Sequence, residues 1–401
     1  VSERRLSNWL QSYLEYTKRA ESPTLYREWA GLWTLCAALE NRVYVEWDKM
    51  TYPNLYVLLV GETSVRKGTA LGPPIRLLEA LEMNIAPQSC TWQALLEVFG
   101  EGTTPVTDMP DNYPYERTSP CHVVAGEFSM LIGRKNESAE LFKFMTDIYD
   151  YQTKYYKHYT RSCGKFNMEG AFLHVIGAIQ PGVLTESIPQ WVIDSGFTAR
   201  VILVFAREKE HRELYPKPTE EERELFEQLL LDLVLIREMR GEYMVSDGFK
   251  ALVGEWYEEF DESIPPELDV PQLGGYVNRR VSTLLKMSMG LKAAKGEEMV
   301  LDEEVFHEAK AFLTRVERPM RLVYSSYGSL PIAQFARPLF NAINGKRPEW
   351  ISFGTLMGKF YKDLTTDDLN HLLMGLIAKE WIRKRITGSV VEFQAVSGAF
   401  S

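Results

Sequence analysis

A glycine-rich segment stands directly behind an apolar run: Leu55-Tyr56-Val57-Leu58-Leu59-Val60, then Gly61-Glu62-Thr63-Ser64-Val65-Arg66-Lys67-Gly68-Thr69. A loop that holds phosphate needs a tight turn with inward-pointing N–H groups. It also needs a lysine for the β- and γ-phosphates and a hydroxyl for Mg2+. Gly61, Lys67 and Thr69 supply the ends of that pattern, which makes residues 61–69 the expected nucleotide cradle. The pattern G-x-x-x-x-G-K-[ST] is not matched literally. Arg66 stands in the place of its second glycine, Gly68 in that of its hydroxyl residue, and Thr69 one step late. Pro73-Pro74 predicts that a helix begun at Lys67 is shortened or kinked. The same residues also read as a plain glycine turn with an exposed basic pair.

Hydrolysis of a bound nucleotide needs a carboxylate at the end of a second buried strand, to hold Mg2+ and polarise water. Cys121-His122-Val123-Val124-Ala125 followed by Gly126-Glu127 has that form, with Glu127 as catalytic and metal-binding carboxylate beside Thr69. Gly126 replaces the aspartate expected before it, so Mg2+ is held through water on this reading. The apolar run FLHVIGAI (172–179) ends at Gln180, a side chain able to sense the γ-phosphate or orient water. Arg200 precedes the next run, VILVF, and is placed to reach a nucleotide on a neighbouring subunit. Arg279 and Arg280 are candidates for the same role within one chain. Singly, each arginine also reads as an ion-pair residue.

Cations and aromatics cluster in Lys154-Tyr155-Tyr156-Lys157-His158-Tyr159-Thr160-Arg161, continuing to Lys165. That mixture suits phosphate neutralisation and base stacking on single-stranded DNA. An amphipathic strand pair with solvated lysines is the other reading, with Gly164 at its turn. Arg134 and Lys135 form a similar basic loop behind Glu127.

These residues need elements to hold them. Uninterrupted apolar runs at 55–60, 121–125, 172–179 and 201–205 read as buried strands, and helical patterns lie between them at 91–99 and 138–149. Alternation of this kind predicts an α/β core with a mainly parallel sheet over 51–210. Two amphipathic helices (7–20 and 27–40) precede it, in a helical segment 1–50. From about residue 211 to 328 the pattern is helical, at 219–240, 246–261, 275–296 and 302–324. Residues 329–401 read as a separate unit: helix, short strand at Trp350-Ile351-Ser352, two helices, then a hairpin around Thr387-Gly388-Ser389. The second of those helices carries Leu369, Leu372, Leu373, Leu376 and Ile377 on one stripe. This is the order of a winged helix, a fold suited to duplex DNA or a protein partner.

The chain has 401 residues with 45% hydrophobic and 25% charged residues, and a net charge of −10. That excludes a generally basic, histone-like protein, but leaves room for a local basic patch on an acidic body. Cys36, Cys90, Cys121 and Cys163 form no C-x-x-C pair, so free thiols in a reducing compartment are expected. No targeting segment or membrane span is predicted, and the cytoplasm is the expected location.

Taken together, ESPTLYREWAGLWTLCAALENRVYVEWDKMTYPNLYVLLVG, GETSVRKGTA, VVAGEFSMLIG, ELFKFMTDIYD, FLHVIGAIQPGVLTESIP and SGFTARVILVF resemble a family of phage- and plasmid-borne P-loop proteins. Its members are associated with primases and treated as helicase-like ATPases. The resemblance spans about residues 15–310, through GGYVNRRVSTLLKMSMGLKAA, and rests on the order of several motifs. It implies a P-loop NTPase core of RecA/AAA+-like type that uses ATP and Mg2+. By resemblance Lys67 and Thr69 contact phosphate and Mg2+, Glu127 is the catalytic carboxylate, Gln180 the sensor and Arg200 the finger from the next subunit. It further implies a ring, commonly a hexamer, around DNA in replication, with a primase or polymerase as partner and the host cytoplasm as location. A nucleotide-binding initiator or loader, and a non-hydrolysing P-loop scaffold, are the alternatives.

Overall fold

The computed structural model describes residues 3–87, 92–132, 135–150, 154–160, 164–187, 192, 196–213, 217–324, 335–361, 364–388 and 390–396. The chain forms two compact units, residues 1–324 and 325–401. The first is a mixed α/β unit. Two helices, α1 (Trp9–Tyr16) and α2 (Thr24–Leu39), lead to the short strands β1 (Val43–Glu46) and β2 (Met50–Thr51). The central sheet is built from β3 (Tyr56–Val60), β4 (Thr104–Pro105), β5 (Arg117–Ala125), β8 (Ala171–Ile179) and β9 (Val201–Phe205). Its spatial order is β4-β5-β8-β3-β9. A hairpin of β6 (Tyr155–Thr160) and β7 (Gly164–Glu169) stands between β5 and β8 in the chain.

β5, β8, β3 and β9 run parallel, and only the edge strand β4 is antiparallel. All five residues of β3 are buried, as are eight of nine in β5 and in β8. A strand covered on both faces has no polar side to alternate with, which is why these segments read as continuous apolar runs. Register aligns their carboxyl ends. Val60 pairs with Ile179 and Phe205, and Ala125 pairs with Gly177. Continuing β5 by two residues brings Glu127 level with Ile179.

Four helices on the strand crossovers matter for the site: α3 (Lys67–Ala80), α5 (Phe128–Ile132), α6 (Lys135–Tyr149) and α7 (Pro181–Ser187); α4 (Trp92–Glu101) lies between α3 and β4. α3 continues through Pro73 and Pro74, so the prolines do not shorten it. They remove the N–H groups that would have bonded the carbonyls of Thr69 and Ala70, and leave those oxygens without their helical partners.

The helical segment 1–50 and the helical domain expected at 211–328 belong to the same compact unit as the sheet. The reason lies in α2, of which 13 residues out of 16 are buried. It packs on α3 and on the helices Glu220–Arg237 and Arg280–Lys295. A helix apolar on every side must be enclosed, so the strand core and helical block close around it. Trp33 stacks on His174 of β8 at 4.5 Å, and the two ring nitrogens of His174 bond Leu55 N–H and the Trp33 carbonyl. These bonds fix the imidazole as neutral, and burial pushes its pKa well below the usual value.

The second unit runs helix Ala336–Asn344, strand Ile351–Ser352, helices Phe353–Phe360 and Thr366–Ala378, then strands Ile382–Thr387 and Val390–Ala395. Its own core holds Leu339, Ile343, Leu356, Leu369 and Phe393. Thr365 caps the helix Thr366–Ala378 through a reciprocal bond with Asp368.

Cys36 and Cys121 are buried; Cys90 and Cys163 lie outside the described residues. Among the described residues no helix is long and apolar enough to cross a membrane.

Candidate nucleotide site

The turn after β3 is built on close approach. Gly61 leaves the strand where a Cβ would stand 2.5 Å from the Tyr26 hydroxyl and 2.8 Å from the Ala206 carbonyl, so only glycine fits. The Tyr26 hydroxyl in turn donates to the Val60 carbonyl at 2.7 Å, pinning the end of β3 to α2. Thr63–Val65 form one 3-10 turn, with Val65 buried as its anchor in the core. The chain then passes through Arg66 at φ 59°, ψ 39° before α3 begins at Lys67. This left-handed position is the one where the phosphate-loop pattern carries glycine, and here an arginine occupies it. Its guanidinium pairs with Glu21 at 2.6 Å, which also binds Lys209 at 2.7 Å.

Thr63, Arg66, Lys67, Gly68 and Thr69 line an open cleft of about 430 Å3 at the carboxyl edge of the sheet. Gly126, Glu127 and Ser129 face them from the end of β5, and Gln180 and Val183 from the end of β8. Three segments separated by about sixty residues each thus converge because three parallel strands end side by side. Connections leave β3 toward β5 and leave β8 toward β9, so the cleft opens where the chain changes direction across the sheet. Such a crevice is where open α/β sheets bind ligands.

Lys67 folds back over its own loop. Its ammonium donates to the Gly61 carbonyl at 2.5 Å and the Glu62 carbonyl at 2.9 Å. Burial lowers its pKa, while Glu62 and Glu127 act in the opposite sense. Glu127 and Thr69 are exposed to the cleft. Mg2+ keeps several waters and takes one or two carboxylates together with substrate phosphates, so a hydroxyl and a single carboxylate suit it. Among the described residues there is no cluster of three His, Cys, Asp or Glu of the kind that would hold a metal by protein groups alone.

The expected arginines are elsewhere. Arg200 sits where β9 begins, at the amino edge of the sheet, and pairs with Asp150 at 3.2 Å and the Gly196 carbonyl at 2.8 Å. Arg279 joins it on the same Asp150 oxygen at 2.6 Å. Arg280 is sealed in the core, paired with both oxygens of Glu317 and stacked 4.6 Å from Trp256. Neither Arg279 nor Arg280 is among the residues that line the cleft. The helix Arg280–Lys295 turns them toward Asp150 and Glu317, and no local pattern announced those partners.

Asp150 was the residue the sequence hid. It ends α6 and collects Arg279, Arg200 and, at 3.6 Å, Lys49. Burial opposes its charge, but Lys286, Arg279, Lys49 and Arg200 together hold its carboxyl below the usual value. Lys286 is fully buried, donates to the Asn54 side-chain oxygen and is pushed down to about 7 by loss of solvation. Ser129 was also missed, although its place two residues beyond Glu127 at the start of α5 gave the means to find it.

The basic hairpin is present as strands β6 and β7, rooted at the amino end of β8. Lys154 is bound to Glu116 at 2.7 Å and Glu169 at 3.5 Å, and Tyr156 packs edge-on against Phe144. Tyr155 and Lys157 are exposed. Arg134 and Arg161 lie outside the described residues, as do the side chains of Lys135, Tyr159 and Lys165. No known protein-family model matches this chain, and no curated protein matches it.

Proposed function

We propose that this protein binds ATP with Mg2+ in the cleft behind β3 and hydrolyses it as a helicase-like motor on DNA. The observation that carries the reading is the convergence of Lys67, Thr69, Glu127 and Gln180 on one cleft at the sheet's carboxyl edge. An isolated glycine turn would have no reason to face a strand-end carboxylate and a strand-end amide at once. On this reading the first N–H groups of α3 meet the phosphates. Lys67 exchanges two neutral carbonyls for charged phosphate oxygens, a stronger class of bond. Thr69 and Glu127 would hold Mg2+, which when bound neutralises charge on the β- and γ-phosphates. Glu127 and Gln180 orient the attacking water. Arg200 is offered to a neighbouring subunit, in a ring, once it leaves Asp150. The assignment to replication in a phage or mobile element rests on the resemblance set out above. Each stacking step opened costs about 1.4 kcal/mol, which hydrolysis must supply.

The carboxylate beside Gly126 favours one second reading, a loader that binds ATP and turns it over slowly. ATPase rates of the wild type, Lys67→Ala and Glu127→Gln test both. Lys67→Ala is expected to fall to background. Glu127→Gln is expected to retain nucleotide binding while losing about 10²–10⁴ in rate. Equal rates in wild type and Lys67→Ala would sink the ATPase reading. Strand displacement from a forked substrate separates motor from loader.

A further inference from the structure

The second unit carries a charge opposite to that of the body. Residues 325–401 hold nine Lys and Arg against six Asp and Glu, a net +3, while the rest of the chain carries −13 of the total −10. The positive charge is concentrated on one strand. Ile382–Thr387 reads IRKRIT, and every residue after Ile382 is exposed.

We propose that this unit holds duplex nucleic acid by its phosphate backbone, through that strand, and does not read bases with the helix Thr366–Ala378. Arg383 and Arg385 are two residues apart and so share one face of the hairpin. Gln394, the register partner of Arg383, donates to the Pro348 carbonyl, which draws the turn carrying Lys346 and Arg347 to that side. Arg385 lies 4.3 Å over the Trp350 ring and pairs with Glu392 at 2.8 Å. The stacking holds the guanidinium in place before any ligand arrives. An exposed ion pair of this kind is weak and yields to phosphate.

The helix is chemically unsuited to the same task. Its solvent side carries Asp367, Asn370, His371 and Met374, and no Lys or Arg before Lys379. Asp367 and Asp368 occupy its first turn, where they repel phosphate from the N-terminus. Its other border is a largely apolar groove lined by Leu373, Met374, Val391 and Phe393, and the cation there, Lys384, belongs to the strand and not to the helix. Single strands need open aromatic platforms for their bases. On this face the ring of Trp350 is covered by Arg385, which favours the duplex.

The test uses the full chain without nucleotide, so its outcome does not depend on the cleft. Two fluorescent 20-base-pair duplexes of unrelated sequence are titrated at several KCl concentrations. Both are expected to bind equally. Arg383→Gln plus Arg385→Gln is expected to weaken binding and to lower the slope of log K against log salt by about 1.8, at 0.9 per lost phosphate contact. Asn370→Ala plus Met374→Ala is expected to bind as wild type. Circular dichroism confirms that each variant folds, and Arg383→Gln alone, which keeps the Trp350 contact and is expected to lower the slope by about 0.9, replaces the first pair if it does not. An unchanged slope, a sequence preference lost with Asn370 and Met374, a loss confined to single strands, or equal competition by polyglutamate would each overturn the proposal.

Discussion

Arg66 occupies backbone that costs an L-residue roughly 1–2 kcal/mol, at φ 59° in the turn before α3. Glycine removes that cost, but also the bridge to Glu21, a pair that solvent screens. Arg66→Gly is therefore expected to leave stability unchanged or raise it by up to about 1 kcal/mol. Arg66→Ile, with a branched Cβ, is expected to cost about 1–2 kcal/mol more than glycine. Urea midpoints of the two variants decide this, and a glycine variant weaker than the isoleucine one would refute the strain. Lys286 makes a second prediction at this scale. Its folded pKa is about 7, below the ordinary lysine value of 10.5. Between those values the unfolded chain binds more protons, so this group's contribution to stability grows as pH rises and is lost as pH falls through 7. Lys286→Met is expected to remove up to about 1.4 kcal/mol per pH unit from the slope of stability over pH 8–10. Urea unfolding of both proteins at several pH values measures it; parallel curves would refute it.

The turn between β3 and α3 works because three elements meet behind it. A methyl group on Gly61 collides with the hydroxyl of Tyr26 on α2 and with the Ala206 carbonyl beyond β9. Gly61→Ala is expected to cost about 1–3 kcal/mol, as overpacking does. Tyr26→Phe removes one of the two obstacles, so the double variant is expected to lose less than the sum of the singles. Strict additivity in urea unfolding would mean that Tyr26 does not constrain the loop. The same elements show what was legible in the sequence. β3, β8 and β9 stand out because buried parallel strands are apolar without alternation. Lys67, Glu127 and Gln180 were legible because each follows such a run, and strand-end residues of a parallel sheet meet at one edge. The span of α3 across Pro73-Pro74 was not legible, since packing of Leu71, Leu77 and Leu78 against the core overrides the local breaker. Nor was the meeting of Asp150 with Arg279, residues 129 positions apart that no periodicity joins.

At the scale of the whole chain, net charge conceals a division. The −10 total is the sum of a strongly acidic unit and a basic one, and each unit has its own apolar core. Separate cores imply separate cooperativity, because a cavity lowers the stability of the structure that surrounds it and of nothing beyond. Leu369 is fully buried in the smaller core. Leu369→Ala is expected to cost that unit about 2–5 kcal/mol. Hydrogen exchange read by peptide mass is then expected to quicken across residues 335–396. Peptides from β3, β8 and α2 should exchange as in the wild type. Equal acceleration in the central sheet would show that the two cores unfold as one. The acidic unit would then depend for its stability on the basic one.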